Sequence, residues 1–358
     1  MLQSLTIKVK LNPTKEQVAM LRDSSIAYIN AVNELVYEMV VEWNTNLKKS
    51  SKDIIAPLNS TVRNQVVRDA KSIFAKVKKN NFEWIPFLKN PIIVWNNQNY
   101  TIDANSISMP FMIDGKSRKV SIKATFQAKD LALIERSVKV GTLRVSKKSN
   151  KWIGQIAIEV SHPESDSTKV MGIDLGLKCP AVCATDENEV KFCGNGRQNK
   201  YFRRYHSYRR RKLGQAKKLK AVKKSRNKEQ RYMNDQDHKI SREIVDFAVS
   251  KNIGIIKLEN LSEIRKTTRT SRKNTRNLHS WSFYRLAMYI EYKASLVGIT
   301  VEYVDPKYTS QRCPSCDTKN KAKDRMYTCK CGYVGHRDLI GAKNITKAPV
   351  LNGDSLAA

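Results

Sequence analysis

Four cysteines toward the end of the chain make its most specific chemical pattern. Cys313-Pro-Ser-Cys316 is followed, twelve residues later, by Cys329-Lys-Cys331-Gly. Two short cysteine pairs on turns present four thiolates, the ligand set of a structural zinc ribbon. The second pair is the tighter one, with a single residue between its ligands, and His336 is a further group of ligand type close by. Cys179, Cys183 and Cys193 fall in strand-like runs and are read as core.

A second pattern is acidic. Asp174 in VMGIDLGLK and Glu259 in IIKLENLS each close an apolar run, and Asp338 opens HRDLIGAKNI. Open α/β sheets bind ligands at the carboxyl ends of their strands. Singly, an acid there is commonly a turn or cap residue. Three brought together from distant parts of the chain make a site for hard cations, since Mg²⁺ (or Mn²⁺) takes oxygen ligands. Two such ions about 4 Å apart can activate water and stabilise the leaving oxygen of a phosphodiester.

A third pattern is the tract 197–228, with fifteen Lys or Arg, no Asp or Glu, and Tyr201, Phe202, Tyr205 and Tyr208 among them. Arg203, Arg204, Arg209, Arg210, Arg211, Lys217, Lys218, Lys223 and Lys224 are the expected phosphate contacts, and the aromatic rings suit unpaired bases. A charge run is ordinarily a solvated face, but one this dense and unopposed repels itself without a polyanion. A second basic loop, 265–276, follows Glu259 and is expected to gate or line the cleft.

The whole composition agrees. Sixty-six Lys and Arg against 33 Asp and Glu leave a formal charge of +33, which calls for nucleic acid as partner. A membrane is the weaker alternative, because no apolar run reaches eighteen residues. The opening MLQSLTIKVK lacks the pattern of a secretory signal, so a cytoplasmic protein is expected. An odd number of cysteines, seven, argues against a disulfide framework.

These groups need elements to hold them. Residues 2–10 alternate as a half-buried strand does, and Pro13-Thr14 opens a helical pattern over about 15–48. A second helix is expected from Asn59 or Ser60 to about Lys79. From about 90 to 162 short β-type runs alternate with turn residues, and the polar segment 161–168 reads as a boundary. Beyond it the pattern is α/β: strands ending at Asp174 and near 179–185, 189–193, 253–258 and 299–304, with long basic helical stretches and a helix at about 281–297.

These motifs, in this order, resemble the TnpB family of transposon-encoded nucleases, compact relatives of type V CRISPR effectors. KVKLNPTKEQ is similar to the family's opening, GIDLGLK to its first RuvC motif, and DHKISREIVDF with IGIIKLENL to its second. WSFYRLAMYIEYKASLVGITVEYVDPKYTSQRCPSC resembles the approach to the ribbon, and HRDLIGAKNI the third motif. Ile340 and Gly341-Ala342 depart from that motif, where the family shows Asn and an Ala pair.

The resemblance implies a multidomain α+β chain. A split β-barrel wedge domain (1–10 and 90–165) is interrupted by a helical recognition domain (11–89). An α/β RNase H-like (RuvC) domain follows (169–308 and 334–347), with a zinc ribbon (309–333) inserted and a disordered tail (348–358). It further implies Asp174, Glu259 and Asp338 as catalytic Mg²⁺ ligands, a structured guide RNA from the transposon end, and double-stranded target DNA cut beside a short adjacent motif. Arg63, Asn64, Gln65 and Arg68 are the expected duplex contacts, and the protein is expected as a monomer or a dimer on the RNA. The rival reading is a nuclease-inactive, RNA-guided DNA-binding repressor; a further one is a zinc-ribbon RNA-binding protein.

Overall fold

The computed structural model describes residues 2–42, 49–80, 84–262, 283–322 and 325–351. The basic segment 265–276, the end of the first predicted helix and most of the expected tail lie outside them. The chain divides into two units, Leu2–Ser161 and His162 onward.

In the first unit β1 (Leu2–Leu11) pairs antiparallel with β7 (Lys151–Ser161) along its whole length, Leu2 opposite Ser161 and Leu11 opposite Trp152. Between them come α1 (Lys15–Val41), α2 (Ser60–Asn80), β2 (Ile92–Trp95), β3 (Thr101–Asp103), β4 (Ser106–Ile113), β5 (Lys116–Thr125), α3 (Ala128–Glu135) and β6 (Lys139–Lys148). A capping box starts α1: the Thr14 side chain accepts from the Gln17 amide, and the Gln17 side chain accepts from the Thr14 amide. Such a cap contributes about 1 kcal/mol.

The seven strands run in the order β2-β6-β7-β1-β5-β4-β3. The strand pairing is therefore not the closed ring of a barrel: β2 and β3 are its outer members. Side chains bridge where backbone pairing stops, for Trp95 Nε1 donates to the Pro110 carbonyl at 3.1 Å and the Trp95 ring meets Phe111 edge-on. Among the described residues, the segment 11–89 has no core of its own. Tyr28, Leu35 and Val66 of its helices share one apolar cluster with Trp95, Ile107 and Ile156 of the strands. One element departs from the β-type reading of 90–162: the helix α3, which buries no residue and has no side-chain cap.

In the second unit β8 (Val170–Asp174), β9 (Ala181–Thr185) and β10 (Val190–Cys193) form an antiparallel meander. After α4 (Gly196–Gln215) and α5 (Leu219–Ser250), β11 (Ile255–Glu259) and β12 (Thr300–Val304) add in parallel beside β8, giving the order β10-β9-β8-β11-β12. The helix α6 (Phe283–Ser295) precedes β12, and the hairpin β13 (Met326–Thr328) and β14 (Val334–His336) leads into α7 (Arg337–Lys347).

Strand alternation gives this sheet two different faces. Met171, Ile173, Ile256 and Leu258 face one side and pack with Ile240 and Ile244 of α5 and Leu286 and Ile290 of α6. Gly172, Asp174, Lys257 and Glu259 alternate with them on the other side, which α7 covers. There a Cβ at Gly172 would meet the Ala342 carbonyl oxygen at 2.3 Å, so only glycine lets the helix lie this close. The Gly172 amide donates to Thr346 Oγ1 at 3.1 Å, and Lys257 Nζ donates to the Ala348 carbonyl at 2.8 Å, a cation at the helix C-terminus.

Candidate metal centres and nucleic-acid surface

The register brings two of the three acids side by side. Leu258 stands opposite Ile173 in the parallel pair β8–β11, so Asp174 and Glu259 follow at adjacent strand ends, where strands lie about 4.8 Å apart. The first turn of α7 carries Asp338, 9% exposed, to the same end of the sheet. A Cβ at Gly341 would stand 2.8 Å from Asp174 Oδ2, so the glycine that departs from the motif is what lets α7 approach Asp174. Ile340, the other departure, is fully buried beside Cys313, Tyr327 and Cys329.

The charges at this end of the sheet are frustrated. Burial pushes the Asp174 carboxyl well above the usual carboxylate range, and the charges of Glu259 and then Asp338 push it further, against Arg337 and Arg325. Burial also raises Glu259, opposed by the Thr309 hydroxyl, which donates to Glu259 Oε1 at 2.5 Å. Asn344 Nδ2 in turn donates to the carbonyls of Thr309 and Arg312 at 2.6 and 2.8 Å. Arg325 Nη1 lies 2.5 and 2.6 Å from the two oxygens of Asp338. Mutual repulsion among three acids in a chain so rich in bases is a feature that a divalent cation relieves. Their oxygens are not gathered as tightly as the thiols: among the described residues the cysteines are the one group whose ligand atoms all lie within 4.8 Å.

That group is Cys313, Cys316, Cys329 and Cys331. Cys313 Sγ is 3.6 Å from Cys331 Sγ, and Cys316 Sγ is 3.5 Å from Cys329 Sγ. A tetrahedral ion with Zn–S bonds of about 2.3 Å needs sulfurs about 3.8 Å apart, so the cluster fits zinc. The Thr318 hydroxyl and amide hold the Cys316 thiol down to about 6, favouring the thiolate that a metal needs. His336 is not in this group; its ring packs edge-on against Phe192 at 5.5 Å. Cys183 and Cys193 are core residues, as expected, and Cys179 is half-buried.

The expected nucleic-acid contacts divide. On α2, Asn64 and Arg68 are exposed, but Gln65 is buried and Arg63 donates to the Leu58 and Ala56 carbonyls at 2.8 and 2.9 Å. On α4, Arg204, Arg209 and Arg211 are exposed, as are Lys217 and Lys218 after it and Lys223 and Lys224 on α5. Arg210 instead pairs with Glu229 of α5 at 2.7 Å, and Arg203 is turned inward toward Glu229 and Asp237, where burial lowers its pKa. The reason is that the basic tract is a helical hairpin, and one side of each helix must pack on the other. Glu229 lies one residue beyond the tract.

Sequence reasoning missed Arg325, Thr309 and Asn344. Thr309 and Asn344 lie inside segments that carried the resemblance, whereas nothing marks Arg325 among 66 Lys and Arg.

Two family models match the chain: one described as "Cas12f1-like, TNB domain" over residues 283–345, and OrfB_IS605, described as "Probable transposase", over 155–265. A CRISPR-associated endodeoxyribonuclease Cas12f1 of Sulfoacidibacillus thermotolerans is 32% identical over 55% of this chain and 50% of its own length. The TnpB-like protein MJ0751 of Methanocaldococcus jannaschii is 36% identical over 35% of this chain and 46% of its own. This chain thus spans about half the length of these two relatives. In fold it is similar to the protein of a Cas12f1-sgRNA-target DNA complex, at a TM-score of 0.71 and 16% identity, over 96% of this chain and 99% of that one. These matches identify the chain as a relative of the TnpB/OrfB_IS605 transposase family and of Cas12f1-like proteins.

Proposed function

We propose that the chain is an RNA-guided DNA endonuclease that hydrolyses phosphodiester bonds at one RuvC-type site formed by Asp174, Glu259 and Asp338. The observation that carries it is the convergence of these three acids at one end of a mixed sheet, with their charges opposing one another. The order of three antiparallel strands followed by two parallel ones supports an RNase H-like domain, with residues 309–333 as its zinc ribbon. The first unit then supplies the wedge sheet and the helical recognition surface, with Asn64 and Arg68 toward duplex DNA.

Asp174, Glu259 and Asp338 would hold the magnesium. When bound, the ion supplies an acidified water and a positive charge for the leaving oxygen. Asp174 gives up the proton that burial and its neighbours favour. Glu259 is aimed by the Thr309 hydroxyl, and Arg325 balances Asp338 until the guanidinium turns aside. Guide pairing reads the target sequence while protein contacts read backbone shape and the adjacent motif. The formal charge of +33 supports a partner as large as a structured RNA.

The test is co-expression with the flanking transposon-end RNA, purification of the complex, and cleavage of a matched plasmid library with Mg²⁺ beside Asp174→Ala. Cutting that needs RNA, metal and Asp174 is the expected result. The Arg325–Asp338 pairing favours one second reading, a guided repressor, for which the same complex binds its target without cutting it.

A further inference from the structure

The outer face of α4 carries tyrosines whose ring contacts lie within their own helix: Tyr201 meets Phe202 and Tyr205, Tyr205 meets His206, and Arg211 and Lys212 lie over Tyr208. Tyr201, Tyr205 and Tyr208 are 65%, 46% and 54% exposed, although tyrosine is a residue that packing ordinarily recruits. The opposite face is the one that packs: Phe202 stacks on Tyr232 of α5 at 3.9 Å, His206 is buried, and Arg210 pairs with Glu229. At about 100° per residue the three tyrosines fall within an arc of about 60°. Arg204 and Arg211 flank that arc on one side and Arg209 on the other, all exposed.

The spacing of the rings says what they fit. Tyr201 and Tyr205 lie nearly parallel, 20° apart in plane, with centroids separated by 6.5 Å. That separation is close to two stacking intervals of about 3.4 Å, the width of a slot for one planar base. A duplex keeps its base faces stacked on one another and offers such a slot nothing; an unpaired strand with splayed bases does. The helix also starts at the acidic end of the sheet. The Gly196 amide donates to the Lys178 carbonyl at 3.0 Å, four residues after Asp174, and a Cβ at Gly196 would meet the Leu177 carbonyl oxygen at 2.1 Å.

We propose that the outer face of α4 is a stacking track for the unpaired DNA strand bound for the acidic site. A base enters between Tyr201 and Tyr205, Tyr208 takes a neighbouring base, and Arg204, Arg209 and Arg211 hold the phosphates. The choice of DNA as the occupant rests on the nuclease reading above; the slot itself does not.

The test measures binding of labelled oligo-dT, oligo-U and a mixed-sequence DNA duplex to the full-length chain in magnesium-free buffer. Wild type is compared with the double variants Tyr201→Ala/Tyr205→Ala and Tyr201→Phe/Tyr205→Phe. The alanine pair is expected to lose at least about tenfold in oligo-dT affinity, with duplex binding within about twofold and the phenylalanine pair near wild type. Photocrosslinking of bromouracil-substituted oligo-dT to the wild-type chain is expected at Tyr201 or Tyr205, a readout that needs no variant to fold. Unchanged oligo-dT affinity, an equal loss for the duplex, a loss confined to oligo-U, or crosslinks only elsewhere each overturn the track. Guided cutting assayed in parallel separates the two readings: tyrosine-dependent oligo-dT binding by a complex that never cuts keeps the track and removes the nuclease, and cutting without such binding does the reverse.

Discussion

Arg325, from the segment between the two cysteine pairs, sets one guanidinium nitrogen against both carboxylate oxygens of Asp338, at 2.5 and 2.6 Å. This ion pair at the acidic cluster ties the segment between the two cysteine pairs to the first turn of α7.

Removing that guanidinium leaves Asp338 nearly buried without its partner. Arg325→Ala is expected to destabilise the metal-free protein by about 1–3 kcal/mol, discounted from the fully buried case because Arg325 is a third exposed. A thermal melt in magnesium-free buffer reads this, and Mg²⁺ should restore part of the loss by supplying the missing cation. A variant that melts with wild type at every magnesium concentration would show the pair to be idle.

Gly341 is the contact that sets α7 against Asp174. Gly341→Ala places a methyl 2.8 Å from Asp174 Oδ2 and 3.1 Å from its Cγ. Overpacking of this kind costs about 1–3 kcal/mol, and displaced ligands should lower guided cutting by about tenfold or more. Asp174→Ala/Gly341→Ala should be no less stable than Asp174→Ala alone, because the clash is with the side chain already removed. Additive losses in the double variant would place the strain elsewhere.

Thr309→Val removes the one bond that favours the charged form of Glu259. Without it the carboxyl keeps its proton to higher pH. The acid limb of the cleavage profile should therefore move upward in pH, with the alkaline limb in place. An unshifted acid limb would separate Glu259 from the titration that controls cutting.

Asp174 also predicts a pH dependence of stability with a definite sign. Its folded pKa is raised by burial and by Glu259 and Asp338, so folded chains bind a proton that unfolded chains have released. In metal-free protein the stability present below the ordinary carboxylate range of about 4 is then lost as pH rises toward the folded value. Asp174→Asn should flatten that decline and melt above wild type at neutral pH without metal. A steeper decline in Asp174→Asn would contradict the repulsion described here.

Removing the zinc proposed for the four cysteines should reach beyond that cluster. Cys313 and Cys329 share a small core with Tyr327 and Ile340, and Ile340 belongs to α7. Chelation, or Cys329→Ser, is expected to abolish one bound zinc per chain by elemental analysis and to lower both the melting temperature and guided cutting. Intact cutting in zinc-free protein would detach the ribbon from the acidic centre.

Much of this protein was legible in its sequence because the relevant signals are local. Cysteine spacing marks the four-thiol cluster, an apolar run closing on an acid marks the ends of β8 and β11, and Pro13-Thr14 marks the start of α1. Each depends on chemistry within a few residues. What the tertiary structure alone decided depends on partners far apart in the chain. Whether Arg204 faces solvent while Arg203 and Arg210 turn inward depends on how α4 packs against α5 and where Glu229 lies. That Gly341 must be small depends on α7 crossing β8 at Gly172. That β2 and β3 stay at the edges of their sheet, with Trp95 bonded to Pro110 across the gap, depends on which strands meet. Composition gives the net field of a chain, but which of its charges are free to act is settled only when packing has assigned the others a partner.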